Sequence, residues 1–263
     1  MNDAEMVRSA TVGRLLLEVY RERAAMGRAA AAAVARRVRD ALARQDGVRI
    51  IFASAPSQVE FLDSLAGTPD LDWSRVTAFH MDEYIGVPME APQSFGRFLR
   101  TRLFDRVGVG QSHFIDGAAP LADECVRYAS LVRTAPIDIV CLGIGENGHI
   151  AFNDPPVADF ADPLWVKAVE LDERSRRQQV NDGCFPRLDE VPHKAITLTI
   201  PALMDGRSLY VVVPGPSKAD AVHATVTGAI DTSCPATILR THPHATMFLD
   251  PDSARLVTMP VGG

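Results

Sequence analysis

Four times along this chain a short run of apolar and β-branched residues ends in a turn rich in Gly, Pro, Ser or Asp, and a helix-permitting stretch follows. The runs are residues 48–53 (VRIIFA), 76–81 (VTAFHM), 137–144 (IDIVCLGI) and 209–213 (LYVVV). Residues 195–200 and 246–249 are further strand candidates, and residues 58–66 read as the helix after the first run. Strands that are apolar on both faces need cover on both faces. The pattern therefore predicts an α/β fold of three layers: a doubly wound, mainly parallel sheet with helices on both faces, Rossmann-like in outline. No repeat, linker or break in composition divides the chain, which predicts a single domain over residues 1–263. Residues 12–44, rich in Ala, Arg, Glu and Leu, read as one or two helices ending near Gly47. In such sheets ligands collect beyond the carboxyl ends of the strands, so chemistry is expected just after the apolar runs.

Composition narrows the partners. With 47% hydrophobic and 23% charged residues the chain is long and apolar enough for a sizeable core. Its formal net charge of −6 argues against nucleic acid or an acidic membrane, so an anionic ligand must be met by locally placed positive groups. The four cysteines, Cys125, Cys141, Cys184 and Cys234, have no paired spacing, which predicts reduced thiols and no zinc site. The first twenty residues mix charges without an apolar signal core, and nothing approaches the roughly 18 apolar residues of a membrane span. A cytoplasmic protein is expected.

Four turns carry residues suited to chemistry. Asp82 and Glu83 follow the second run directly, where a partly buried carboxylate is suited to general-base work; the same segment also reads as an ordinary strand-end turn or helix N-cap. Gly143-Ile144-Gly145-Glu146-Asn147-Gly148-His149 follows the third run. Gly145 and Gly148 permit a tight turn and close backbone approach, and His149 can relay protons near neutral pH, although a purely structural glycine turn stays open. Its spacing lacks the G-x-G-x-x-G of a dinucleotide site. Ser54, Ala55 and Ser57 lie in a loop at a predicted helix start, and Lys218 adds a cation to a second such turn; either can hold a phosphate, or merely cap a helix and meet solvent.

His80-Met81-Asp82-Glu83-Tyr84-Ile85-Gly86 with Ser94-Phe95 and Phe98-Leu99, then residues 143–154 (GIGENGHIAFND), then Gly215-Pro216-Ser217-Lys218-Ala219 together resemble the signatures of glucosamine-6-phosphate deaminases, in the same order over about residues 50–249. The resemblance implies the three-layer fold, assembly into a homo-oligomer, and conversion of glucosamine 6-phosphate to fructose 6-phosphate and ammonia without metal or organic cofactor. It implies Asp82 as the base acting between C2 and C1, His149 as the ring-opening group with Asn147 and Asp154 orienting it, and a substrate and phosphate site of Ser54, Ala55, Ser57, Glu83, Gly145, Gly148 and Lys218.

The chain departs from that pattern at several places. Asn147 stands where many members carry Asp and cannot ionise. Asp154 replaces the usual Glu and is one methylene shorter. Pro56 removes an N–H donor from the phosphate loop, and a family arginine near the phosphate falls close to Asn181. Three other readings accompany the deaminase: a 6-phosphogluconolactonase-like hydrolase on the same fold, a related sugar-phosphate isomerase, and a sugar-phosphate sensor without turnover.

Overall fold

Side chains alternate across each central strand, and the two resulting apolar faces decide how the helices pack. In the computed structural model, which describes residues 5–258, the elements run in chain order. They are β1 (Met6–Val12), β2 (Leu15–Tyr20), α1 (Arg23–Leu42), β3 (Val48–Phe52), α2 (Val59–Ala66), β4 (Val76–His80), β5 (Asp82–Tyr84), α3 (Phe95–Leu99), α4 (Asp105–Val107), β6 (Gln111–His113), α5 (Leu121–Arg133), β7 (Ile139–Leu142), β8 (Val166–Glu170), α6 (Glu173–Asn181), β9 (Lys194–Leu198), α7 (Ile200–Met204), β10 (Leu209–Val213), α8 (Ala219–Thr227) and β11 (Ala245–Leu249). Residues 1–4 and 259–263 of the expected single domain lie outside the described residues.

Eight strands form one sheet in the order β1-β2-β11-β10-β7-β3-β4-β6, every neighbouring pair parallel except β1 with β2. On one face Ile51, Phe79, Val140 and Val211 pack with Tyr128 and Val132 of α5, Leu203 of α7 and Val222 of α8. On the other, Ile50, Phe52, Ala78, Ile139 and Val212 pack with Ala30, Val34 and Val38 of α1 and with Phe61 and Leu62 of α2. The architecture is the doubly wound three-layer α/β fold anticipated from the apolar runs.

One reading of the sequence is corrected. Residues 12–20 are not helical: they form the end of β1, the turn and the second strand of a β1–β2 hairpin, and the helix begins only at Arg23. Leu15, Leu17 and Val19 are buried while Leu16 and Glu18 are half-exposed, a period of two that outweighs the local helix propensity. Gly13 makes the turn at φ +63, a conformation unfavourable for other residues. The strand expected at residues 195–200 is present as Lys194–Leu198, but outside the main sheet. This strand, β9, lies between β5 and β8 in a separate three-stranded antiparallel sheet. That small sheet positions β5, and hence Asp82, at the end of β4.

Among the described residues no helix is long and apolar enough to cross a membrane, and all four cysteines are free thiols.

Phe79 is fully buried, 5.0 Å from the His113 ring and 6.2 Å from that of Tyr128. Phe79→Ala is expected to cost about 3–5 kcal/mol, the range for emptying a packed aromatic position, read as a lower urea midpoint at unchanged m-value.

Candidate active site

β3 and β7 are neighbours in the sheet, yet the chain leaves them in opposite directions: from β3 outward through β4 to β6, from β7 through β10 to β11. The crossovers diverge there, and a crevice opens beyond the strand ends. An open cleft occupies it. Ala53, Ser54, Ala55, Ser57 and Gln58 after β3, Met81 and Asp82 after β4, Gly143, Ile144, Gly145 and His149 after β7, and Lys218 after β10 contribute to its walls.

The turn after β7 is built around His149. Gly145 N–H donates to the His149 carbonyl at 2.9 Å, and the Gly145 carbonyl accepts from Gly148 N–H at 3.0 Å. The imidazole lies so close over Gly145 that a methyl group there would overlap the ring. His149 Nδ1 is 2.9 Å from Asp154 Oδ1 and 3.3 Å from Ser175 Oγ. Asn147 Nδ2 donates to the same Asp154 oxygen at 2.9 Å, and Asn147 Oδ1 accepts the His149 N–H at 3.0 Å. Burial opposes the charge on Asp154, but hydrogen bonds from His149, Asn147 and the Asp172 N–H prevail and hold its pKa below the ordinary value. An ionised Asp154 accepts Nδ1–H, leaving Nε2 as the ring nitrogen without a protein partner among the described residues. Asn147 and Asp154 therefore sit behind His149, outside the cleft wall. Gly148 lies behind it too, its carbonyl accepting from Ala236 N–H at 2.8 Å.

Asp82 is buried and lines the cleft with no hydrogen bond to its carboxyl among the described residues. Burial, then the neighbouring charge of Glu83, pushes its pKa well above the ordinary aspartate value. Glu83 corrects the expectation that it binds substrate. Successive strand residues point to opposite faces, so Glu83 turns away from the cleft and is held at the start of α3.

Lys218 is the sole lysine or arginine among the described residues on the cleft wall. It is almost fully buried, and no carboxylate of the described residues lies within ion-pair distance. Burial lowers its pKa, against the attraction of the more distant Asp182 and Glu146. Ser54, Ala55 and Ser57 line the same cleft, and Ser54 Oγ is buried without a partner among the described residues. Pro56 opens a short 3-10 turn there, so α2 begins only at Val59. Asn181 is exposed at the end of α6 and brings no cation to the wall.

The sequence reading missed Gln58, Phe95, Phe152, Gln178 and Gln179, all of which line the cleft. Gln58 Nε2 donates to the Val212 carbonyl at 3.0 Å and Ser57 Oγ at 3.2 Å, and Gln178 Oε1 accepts the Glu146 N–H at 2.9 Å. A paired Gln-Gln late in a polar helix was the available signal, but amides lack the titrating chemistry that marks a site in sequence. Among the described residues no cluster of three or more His, Cys, Asp or Glu side chains is arranged to hold a metal ion.

Residues 21–248 match the family described as glucosamine-6-phosphate isomerases/6-phosphogluconolactonase. A glucosamine-6-phosphate deaminase of Exiguobacterium sp. (strain ATCC BAA-1283 / AT1b) is 44% identical over 181 residues, spanning 68% of this chain and 69% of that one. One from Bacillus thuringiensis (strain Al Hakam) is 39% identical over 187 residues, 71% and 70% of the two chains. Among solved structures, a monomeric glucosamine-6-phosphate deaminase superposes with a TM-score of 0.85 at 27% identity, covering 92% of this chain and 99% of that one. The 6-phosphogluconolactonase of Thermotoga maritima, at TM-score 0.74 and 20% identity over 90% and 99%, shares the fold.

The overlap at Gly145 gives a direct test of the turn. Gly145→Ala is expected to displace the His149 ring and lower kcat at least tenfold with the far-ultraviolet circular dichroism unchanged, because the collision is confined to one side chain.

Proposed function

The chain belongs to the family of glucosamine-6-phosphate isomerases and 6-phosphogluconolactonases, and from that premise we propose that it converts glucosamine 6-phosphate to fructose 6-phosphate and ammonia. The observation that carries the reading is one cleft lined by a buried Lys218 and a Ser54 hydroxyl, both unpaired among the described residues, and also by Asp82 and His149. A buried cation without a counter-charge is costly, and a bound phosphate group would relieve that cost.

The chemistry follows from the groups available. In the pyranose, C2–H is not acidic; it becomes so only beside a free aldehyde. His149, with Nδ1 held by Asp154, is suited to take the anomeric hydroxyl proton and return a proton to the ring oxygen as the C1–O5 bond breaks. Asp82 then accepts the C2 proton and delivers it to C1. The former aldehyde oxygen ends as a hydroxyl, the amine gives up a proton in exchange, and C2 becomes an imine. One water adds at C2 and ammonia leaves, so the sum is substrate plus water giving ketose phosphate plus ammonia. The raised pKa of Asp82 suits this role, since a base must hold the abstracted proton long enough to return it.

Asp82 works as the carboxylate, so turnover falls as pH drops through its pKa, which burial has moved above the ordinary value of about 4. We retain a homo-oligomer and a cytoplasmic site of action as part of the reading. Sedimentation would report the subunit number.

The test is to follow ammonia and fructose 6-phosphate together from glucosamine 6-phosphate, with Asp82→Asn and His149→Ala beside the wild type. Stoichiometric release of both is expected, with Asp82→Asn reduced about 10²–10⁴-fold while still binding the sugar phosphate. Binding without products in the wild type would leave a sensor.

A further inference from the structure

Asp82 and Glu83 are consecutive on β5, buried to a similar degree and solvated in opposite ways. Asp82 accepts no hydrogen bond from the described residues. Glu83 accepts four: Ser94 Oγ–H at 2.8 Å and Gly96 N–H at 3.0 Å reach one oxygen, Tyr84 N–H at 3.0 Å and Phe95 N–H at 3.2 Å the other. No Lys, Arg or His of the described residues pairs with it. Its charge is borne by these donors at the start of α3. Both oxygens are engaged by donors, which favours the ionised form.

Resting on the reading of Asp82 as the base, we propose that Glu83 is a positioning residue for proton transfer, a fixed negative charge behind Asp82 that makes Asp82 the proton-accepting member of the pair. Two adjacent buried carboxyls do not ionise independently; the better-solvated one keeps its charge and raises the proton affinity of the other. Glu83 has the donors, and Asp82 has the cleft. Burial raises both pKa values; on Glu83 its four donors oppose that rise, whereas on Asp82 the charge of Glu83 adds to it. The same bonds also fix Phe95, whose ring lines the cleft and lies 4.7 Å from that of Tyr84.

The other titrating groups nearby can be separated. His149 and Lys218 share the cleft wall with Asp82, from the turns after β7 and β10. Tyr84 follows on the same strand, and its phenol is pushed well above its ordinary value by burial. Asp116, after β6, lines a small cavity behind Glu83. In β9 the partners of Asp82 and Glu83 are Thr197 and Ile196, which carry no charge.

The experiment is the pH profile of kcat/KM for glucosamine 6-phosphate in wild type, Glu83→Gln and Glu83→Asp. Removing the charge in Glu83→Gln is expected to move the acid limb down by roughly one pH unit and to lower the plateau kcat, with KM within about twofold. Glu83→Asp keeps the charge and is expected to keep the limb near its wild-type place even where the rate falls. A uniform loss of rate in Glu83→Gln with the limb unmoved would reduce Glu83 to a structural anchor and overturn the proposal. Carbon-13 carboxyl titration of the wild type gives a second reading independent of how the variants fold. Glu83 is expected to remain ionised where Asp82 has taken its proton, and the reverse order overturns the proposal. The base assignment fails separately, if Asp82→Asn turns over at the wild-type rate.

Discussion

The hydrogen bonding of β7 between β3 and β10 is the constraint on which the rest of the molecule depends. Parallel strands cannot be joined by hairpins; each connection must cross a face and return. With β7 seated between strands whose connections wind in opposite directions, the space beyond its carboxyl end cannot be filled by crossovers. Three of the four turns that carry chemistry follow β3, β7 and β10 directly, and the fourth, after β4, is pinned by the small antiparallel sheet. The cleft is thus a by-product of connectivity, and the side chains lining it were free to differ.

Inside the cleft, charges are kept apart from their natural partners. Among the described residues Lys218 lacks a direct carboxylate, Asp82 lacks donors, and the Ser54 hydroxyl lacks an acceptor. Each is a cost borne by the folded chain without ligand. His149 differs, because its partners Asp154 and Asn147 are supplied by the chain itself. Two of the substitutions that set this chain apart from its family pattern, Asn147 and Asp154, fall in that supporting layer. Asn147 still bridges the His149 backbone and the Asp154 carboxylate, tasks an amide performs with its two ends. The shorter Asp154 still reaches Nδ1.

What could be read from the sequence followed physical type. Runs apolar on both faces, such as 48–52 and 209–213, admit little but a central strand, and the Gly-rich turn after β7 could only be a tight one. The β1–β2 hairpin was misread because its alternation adjoins an alanine-rich helix whose composition dominated the window. β5, β6 and β8 are short or polar, and their strand character comes from partners distant in sequence. In the site, titratable residues stood out while Gln58, Gln178 and Gln179 did not. Glu83 stood beside Asp82 in the same motif, but the turn of one residue to the opposite face depends on β5 being a strand, which three residues cannot announce.

The hairpin at the start of the described chain has a consequence for the order of events during synthesis. β2 is parallel to β11, with Leu15 beside Ala245 and Val19 beside Leu249, so this flank of the sheet joins segments far apart in sequence. A ribosome must deliver all the residues between them before Leu15, Leu17 and Val19 can be sealed by that neighbour. Until then the nascent hairpin carries an open edge and an uncovered row of aliphatic side chains, the kind of surface that chaperones recognise. Completion of the last strand closes the sheet, and the long loop it closes places this molecule among slow-folding topologies.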